Sequence, residues 1–382
     1  MEKMIYLDNA ATTPLDTRVL QKMTPYLTDV FGNADSPHAI GRKAMGAVDL
    51  ARDSLAALLH AKQNEIYFTS GGTEADNWAV IGAALAKAKE GKKKIVCSPI
   101  EHHAVLSAMQ RLQSYGFEIV YLPVNAGGRV ALNDVESVVD EDTALVCLML
   151  ANNETGVLQP VQETAQIAHA HGALCFTDAV QYAPYLPIDV QELGVDLLSI
   201  SAHKFGGPKG VGALYIKNGV KMEKLVAGGE QERGMRGGTL NVASIVGLAE
   251  AYRLTREEMT KTSEHLVKLT EIFQKEIAVL DGVTRNGMDE KLPSVLNLRI
   301  EGVENAALLY KTDLLGVCFA AGSACASASV KPSHVLTAMG LSDAQAKECV
   351  RISFGKSNTE NDALEGGKKF VQAVQELRAF KK

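Results

Sequence analysis

Residues 199–210 read SISAHKFGGPKG, and this stretch decides the fold. Residues 197–201 form an apolar run that predicts a strand, and a glycine-rich turn follows them. His203 and Lys204 lie between the strand and the turn. A lysine in such a place is usually solvated, but one held against a bound group loses its proton more easily and can form a Schiff base. The stretch therefore predicts a strand that places a reactive lysine at one edge of a sheet.

Around this stretch the chain alternates between short apolar runs and helical periods. Strands are predicted at residues 66–68, 94–97, 118–122, 144–150, 173–177, 197–201 and 211–216. Helices are predicted at residues 73–89, 104–115 and 161–171. Strands that alternate with helices are typical of a mostly parallel sheet covered on both faces. The last two strands lie close together in sequence, which allows one of them to be antiparallel.

A second α/β pattern follows a long helix predicted at residues 242–279. The strands predicted there are residues 295–299, 317–320 and 351–354, and a closing helix is predicted at residues 362–380. A chain of 382 residues is too long for one compact core. We therefore expect an α/β protein with a large, mostly parallel sheet domain and a smaller C-terminal α/β domain.

Composition excludes several classes of protein. A net charge of -6 argues against a general nucleic-acid binder, and no apolar run of about 18 residues predicts a membrane span. The first residues lack the apolar core of a signal peptide, so we expect a cytoplasmic protein with no membrane partner and no direct contact to nucleic acid. The six cysteines include no C-x-x-C pair, which argues against a zinc ribbon, and we predict no metal site.

The cysteines differ in their surroundings. Five lie in apolar, strand-like runs, where a cysteine is typically a small buried hydrophobe; they are Cys97, Cys147, Cys175, Cys318 and Cys349. Cys325 instead lies among glycine, alanine and serine in the stretch AGSACASA, residues 321–328. Its sulfur is therefore the one we expect to be accessible.

Two further positions carry candidate chemistry. In TSGGTEAD, residues 69–76, a strand ends and a helix begins near Thr73. Free N–H groups at such a helix start attract a phosphate, although a plain helix cap with Asp76 in a variant capping box explains the same residues. Asp178 follows an apolar run, at the strand edge where ligands gather in open α/β sheets. A carboxylate there can hold the protonated ring nitrogen of pyridoxal phosphate, or it can be an ordinary turn residue.

A phosphate cradle, a strand-end aspartate and a strand-end lysine follow one another in the order typical of pyridoxal-phosphate enzymes with the aspartate-aminotransferase type of fold. The chain resembles the cysteine desulfurases of that group in seven stretches: residues 6–14, 101–105, 152–156, 178–181, 201–204, 233–239 and 322–325. It is identified as a member of the NifS/IscS-like branch of the class V aminotransferase family, with pyridoxal-phosphate fold type I. The long stretch around Cys325 distinguishes this branch from one with a short Arg-x-Gly-His-x-Cys motif.

The resemblance implies a role for each matching residue. Lys204 would carry the cofactor, Asp178 would pair with the ring nitrogen, Gln181 would bond to the ring hydroxyl, and His102 would stack on the ring and carry protons. The phosphate would be bound by residues from three stretches of chain: Gly72, Thr73, Ser201 and His203, together with Thr239 from the partner subunit. Asn153 would contact the cofactor or the substrate, and Arg351 would bind the substrate carboxylate.

The resemblance also implies the reaction and the assembly. L-cysteine would become L-alanine, and its sulfur would form a persulfide on Cys325 that passes to an acceptor, such as an Fe–S scaffold or a tRNA thiolation enzyme. The active unit would be a homodimer. Residues 15–255 would form the cofactor-binding domain, and residues 1–14 with 256–382 the small domain carrying Cys325.

Some alternatives stay open from the sequence alone. Another class V aminotransferase would have no need of Cys325. A selenocysteine lyase would share these residues, and a scaffold without cofactor would not need Lys204 or Asp178. Whether His102 acts as the base for Cys325 or the Cys325 pKa is lowered is also open.

Overall fold

The computed structural model describes residues 4–322 and 332–380. The strands are β1 Ile5–Tyr6, β2 Ile66–Thr69, β3 Lys94–Cys97, β4 Glu118–Tyr121, β5 Thr143–Cys147, β6 Leu174–Asp178, β7 Leu197–Ser201, β8 Gly212–Ile216, β9 Val283–Asn286, β10 Val295–Ile300, β11 Val317–Cys318 and β12 Cys349–Ser353. The helices are α1 Thr17–Met23, α2 Pro25–Thr28, α3 Ala39–Leu58, α4 Gly72–Ala88, α5 His103–Gln113, α6 Leu132–Val138, α7 Val161–Ala170, α8 Val190–Leu193, α9 Val242–Ile277, α10 Asn305–Leu314, α11 His334–Ala338, α12 Asp343–Ala346 and α13 Glu360–Ala379. Short 3-10 turns span Gln63–Glu65, Ala202–Lys204 and Gln231–Gly234.

Seven strands form the main sheet, in the order β2-β8-β7-β6-β5-β3-β4. The pairs from β7 to β4 are parallel, whereas β8 runs antiparallel to both of its neighbours. Every residue of β5, β7 and β8 is buried, which explains why these strands appear in the sequence as continuous apolar runs. The predicted mostly parallel sheet is confirmed, and β8 is its antiparallel member.

Helices cover both faces of this sheet. Along β5, Leu145 and Cys147 pack with α4 and α5 on one face, whereas Val146 packs with α3, α7 and the first half of α9 on the other. Side chains in a strand alternate between faces, so a single strand contributes to both cores. The carboxyl ends of the parallel strands therefore lie at one edge of the sheet, where α4 and α5 begin.

A second core lies around the later part of the chain. The antiparallel sheet β12-β10-β9 packs with α13 and the second half of α9, and a short parallel pair joins β1 to β11. The rings of Phe273 and Phe370 pack edge to face in this core, with their centroids 5.6 Å apart. Since α9 runs through both cores, the domain boundary at residue 255 stays a prediction.

The structure differs from the sequence expectations in several places, of which three bear on the cores and the cysteines. Strand β5 ends at Cys147, although Leu150 N still donates to the Asp178 carbonyl oxygen at 3.0 Å. Helix α3 was not predicted, although its buried residues recur at helical spacing. The prediction that Cys318 is buried is wrong: it is partly exposed because β11 is a two-residue edge strand.

No helix within the described ranges is long and apolar enough to cross a membrane.

Candidate active site

A cavity of about 450 Å³ opens at the carboxyl edge of the main sheet. It lies where β6 and β7 end and α4 begins. Ten of the twelve predicted site residues line it: Gly72, Thr73, His102, Asn153, Asp178, Gln181, Ser201, His203, Lys204 and Arg351. Residues from six separate stretches of sequence therefore meet at one place.

Two glycines at the start of α4 leave its backbone open towards the cavity. Gly71 caps the helix with a φ of 153°, a backbone conformation that residues other than glycine rarely adopt. A Cβ at Gly72 would lie 2.9 Å from Val180 Cγ2, so only glycine fits at the first helical position. Thr73 lies inside the helix, and no side chain caps its start, so the capping-box explanation of this stretch is wrong. The helix start is instead bare towards the cavity, as anion-binding helix starts are.

Asp178 is the last residue of β6 and lies beneath the cavity. Its Oδ1 accepts a hydrogen bond from Val180 N at 2.8 Å. Burial raises the pKa of this carboxyl to about 6, against the opposing effects of the Val180 bond and the Lys204 charge. A carboxylate so placed can pair with a cationic ring nitrogen, because the pair would remove the cost of its burial.

Asp76 is a residue of this site that sequence reasoning missed as a functional group. Its Oδ1 accepts a hydrogen bond from Ser199 Oγ at 2.5 Å, and it lines the cavity. One atom each of Asp76, His102 and Asp178 lies within 4.8 Å of the other two, a spacing that metal ligands also show. The signal in the sequence was its spacing: Asp76 lies three and four residues after Thr73 and Gly72, which places all three on one face of α4.

His102 caps the start of α5, and its Nδ1 accepts a hydrogen bond from Ala104 N at 3.2 Å. The pKa of the ring is lowered to about 4. Burial is the larger cause, and the nearby charge of Lys204 is the next. The ring is therefore neutral near pH 7. Since Nδ1 accepts this bond, the proton of the neutral ring lies on Nε2.

Lys204 ends the short 3-10 turn after β7. Its Nζ donates to the carbonyl oxygens of Ala10 at 2.6 Å and Ala11 at 3.1 Å, so the N-terminal segment closes one side of the cavity. His203 Nδ1 lies 3.1 Å from Thr12 Oγ1 on the same side. The pKa of His203 is lowered to about 4. Burial is the largest cause, and the charges of Lys204 and Lys209 contribute less.

Arg351 lies on β12 at the far wall and is almost wholly buried. Its Nη1 donates to the Asn153 carbonyl oxygen at 2.9 Å, and its Nη2 donates to Asp8 Oδ1 at 2.8 Å. The guanidinium Nε is buried and has no hydrogen-bond partner among the residues that the structure describes. An anion that reached this wall could accept a bond from that atom.

One of the two other predicted residues is described by the structure. Thr239 is exposed and lies outside the set of lining residues. Cys325 falls within residues 323–331, outside the described residues.

The chemistry of the lining residues fits pyridoxal phosphate. The bare helix start with Ser201 and His203 suits a phosphate, and Asp178 suits a pyridinium nitrogen. Within the described ranges, Gln181 Oε1 is a buried polar atom without a partner, as expected of a group that awaits a ligand. A volume of about 450 Å³ suits a ligand of this size.

Comparison with known proteins agrees with this fit. The family model of aminotransferase class V matches residues 5–365. The chain is 45% identical to a cysteine desulfurase IscS of Clostridium botulinum, over 95% of this chain and 92% of that protein. It is also 45% identical to a putative cysteine desulfurase IscS 1 of Bacillus subtilis, over 98% of this chain and 99% of that protein.

Solved structures show the same fold. A NifS-like protein superposes with a TM-score of 0.91 at 37% identity, covering 99% of this chain and 100% of that one. A structure described as SspA in complex with cysteine gives a TM-score of 0.83 at 35% identity, covering 93% of this chain and 99% of that one.

The fold and site define a pyridoxal-phosphate-dependent enzyme of fold type I, and the chain belongs to the aminotransferase class V family. Within that family it groups with the cysteine desulfurases of the NifS and IscS type.

Proposed function

We propose that this protein takes sulfur from L-cysteine, releasing L-alanine and leaving a persulfide on Cys325. The observation that carries the proposal is the single cavity in which Lys204, Asp178 and His102 meet beneath a bare helix start. The same cavity also holds Arg351, a group suited to an amino-acid carboxylate.

Each lining residue then has a task towards the cofactor. Lys204 binds the cofactor covalently, Asp178 pairs with its ring nitrogen and Gln181 bonds to its hydroxyl. The phosphate is held by groups at the start of α4 and the end of β7: Gly72, Thr73, Ser201 and His203. The bound cofactor supplies an electron sink that makes the substrate Cα–H acidic.

The chain's own residues bind the substrate and move its protons. Arg351 and Asn153 hold the substrate carboxylate at the far wall, which fixes the orientation of Cα. Lys204 Nζ would accept the Cα proton of the bound substrate. The neutral His102 ring carries its proton on Nε2, so that nitrogen can donate the proton to a reacting atom and take it back, while Nδ1 stays bonded to Ala104 N.

Sulfur transfer uses Cys325. Its thiolate attacks the substrate sulfur, so that an S–S bond forms and the C–S bond breaks. The electron pair of the broken C–S bond stays with the substrate Cβ, which would take up a proton, and Cα would recover the proton held by Lys204, which gives L-alanine. Cys325 retains the persulfide until an acceptor thiol takes its outer sulfur.

Assembly and sulfur delivery complete the proposal. We infer a homodimer in which Thr239 reaches the phosphate of the partner's cavity; its exposure and its place outside the cavity of its own chain support this arrangement. The sulfur would pass to a protein acceptor, such as an Fe–S scaffold or a tRNA thiolation enzyme. The cytoplasmic location and the identity of the acceptor remain predictions.

The test is product analysis of the purified holoenzyme. With L-cysteine, a reductant and no keto acid, the desulfurase yields L-alanine and sulfide in equal amounts over many turnovers. An aminotransferase would give no sustained alanine unless a keto acid were added. A protein that binds no cofactor would show no visible absorbance, and that result would contradict the proposal at its first step. L-selenocysteine run in parallel separates a selenium-selective lyase, which would consume it and leave L-cysteine unchanged.

A further inference from the structure

Two carboxyl groups lie side by side beneath the cavity, one on β6 and one on α4. Asp178 and Asp76 are 5% and 1% exposed, and an oxygen of each lies within 4.8 Å of the other. Ser199, the residue opposite Asp178 in the β6–β7 register, donates its hydroxyl to Asp76 at 2.5 Å. The proposed function gives Asp178 a task and leaves Asp76 without one.

Two buried carboxylates at this separation cannot both be ionised without a large cost, because each charge is poorly solvated and they repel each other. One of the two must therefore hold a proton near neutral pH, as in other enzymes with adjacent carboxyl groups. The surroundings decide which one it is.

The groups that face the pair favour ionisation of Asp178. The Val180 N–H bonds to Asp178, and the charge of Lys204 favours the ionised form of that carboxyl. Burial and the Asp178 charge raise the pKa of Asp76, whereas the hydrogen bond from the Ser199 hydroxyl lowers it.

Among the other titratable neighbours, the Cys147 thiol on β5 is buried, and burial raises its pKa, so it is uncharged near pH 7. Glu101 and His102 come from the segment that leads into α5. Burial raises the Glu101 pKa to about 8, and its Oε1 accepts a bond from Met149 N at 2.8 Å. Burial likewise keeps His102 uncharged near pH 7, since its pKa is about 4. Neither group therefore supplies a positive charge that would favour ionisation of Asp76.

We propose that Asp76 is a positioning residue that holds a proton beside an ionised Asp178, and so keeps the Asp178 charge directed at the cofactor ring nitrogen. The inference rests on the proposed function, since it assigns Asp178 its role towards the ring. Asp76 touches neither the substrate nor the reacting atoms. Its proton stays in place during turnover, and no covalent bond changes at this residue.

The direct test is carbon NMR of the holoenzyme with aspartate labelled at the carboxyl carbon, which leaves Glu101 unseen. One aspartate resonance is expected in the protonated range near neutral pH. It should vanish in Asp76→Asn and persist in Asp196→Asn, a matched change at a buried aspartate that is 5% exposed and away from the cavity. In Asp178→Asn the same resonance should titrate at lower pH, because the repelling neighbour is gone.

Two results would overturn the inference. One is a spectrum with every aspartate carboxyl ionised near neutral pH. The other is a protonated resonance that disappears in Asp178→Asn and remains in Asp76→Asn.

A second readout separates proton holding from simple packing. Asparagine is neutral and has the shape of the protonated acid, so Asp76→Asn should keep the pH midpoint of the cofactor absorbance. Asp76→Ala leaves Ser199 without its partner and should weaken cofactor affinity about tenfold. A shifted midpoint in Asp76→Asn would mean that Asp76 is ionised in the native protein, against the inference. Neither readout uses turnover. A failure to form alanine would therefore contradict the proposed function, whereas the protonation of Asp76 is tested by the NMR spectrum and the absorbance alone.

Discussion

Arg351 and Asp8 form an ion pair at the wall of the cavity, with Nη2 and Oδ1 2.8 Å apart and the arginine side chain only 1% exposed. The other terminal nitrogen, Nη1, donates a hydrogen bond to the carbonyl oxygen of Asn153. A substrate carboxylate therefore finds Nε without a partner among the described residues, and it shares Nη2 with Asp8 or displaces it only when it binds both nitrogens. The pair also offsets the cost of burying the arginine before the substrate arrives.

Replacing Arg351 with lysine should raise KM for L-cysteine about tenfold to a hundredfold, since an ammonium cannot form the bidentate contact. The cofactor absorbance should not change, because Arg351 is not placed on the cofactor. Steady-state kinetics with absorbance spectra check both statements. Asp8→Asn is the matched control: it removes the competing carboxylate, so its KM should be no higher than that of the wild type. An unchanged KM in Arg351→Lys would show that the substrate carboxylate binds elsewhere.

The His102 ring should stay neutral well below the usual histidine pKa of about 6.5. Burial is the larger cause and Lys204 the next, so the ring should titrate at about 4 in the apoprotein. Proton NMR of the ring C–H, assigned by its loss in His102→Gln, measures this midpoint. Lys204→Ala should raise the midpoint without restoring it fully, because burial remains. A midpoint at or above about 6.5 would contradict the assigned environment.

Loss of the ring should also be costly for turnover. His102→Gln should lower kcat about a hundredfold or more, as expected for a lost proton carrier, while the cofactor stays bound.

Lys204 should be the lysine that carries the cofactor. Borohydride reduction of the holoenzyme followed by peptide mass mapping should place the pyridoxyl mass on Lys204. Lys209 lines the same cavity and provides the control: Lys209→Ala should keep the label on Lys204. Label on Lys209, or label retained in Lys204→Ala, would show that the covalent link is misassigned.

Much of this site could be predicted because its reactive side chains directly follow apolar runs that indicate strands. Asp178 and Lys204 follow buried apolar runs, and parallel strands bring their carboxyl ends to one edge. Thr73 was placed near a helix start for the same reason. These residues could be located before any geometry was known.

Other parts depend on contacts between distant residues. The pairing of Asp76 with Ser199 joins residues 123 positions apart, and that of Arg351 with Asp8 joins residues 343 apart. No local pattern encodes either contact. Helix α3 is a different case, because its buried residues do recur at helical spacing and the sequence could have predicted it. Cys318 was misjudged because an apolar run does not reveal that its strand is a short edge.

The proposed dimer predicts complementation between two defective subunits. A Lys204→Ala subunit paired with a Thr239→Ala subunit has one cavity with an intact Lys204 from one chain and an intact Thr239 from the other. Co-expressed, differently tagged subunits purified as the mixed dimer should regain about half of the wild-type activity, as expected for one working site of two. Each variant alone should be weak or inactive. No gain in the mixed dimer, or an active monomer by light scattering, would contradict a site shared between subunits.

The most direct test of the whole account is to locate the persulfide. Wild-type holoenzyme is incubated briefly with L-cysteine, its persulfides are alkylated, and the modified peptide is identified by mass spectrometry. The account predicts a persulfide on Cys325 and, in Cys325→Ser, normal cofactor absorbance with almost no alanine, because a hydroxyl is a poor nucleophile towards sulfur. Cys318→Ser is the matched control, because Cys318 is a described cysteine that is partly exposed, and this variant should keep both the persulfide and the turnover. A persulfide on Cys318 or Cys349, or full alanine formation by Cys325→Ser, would contradict the account.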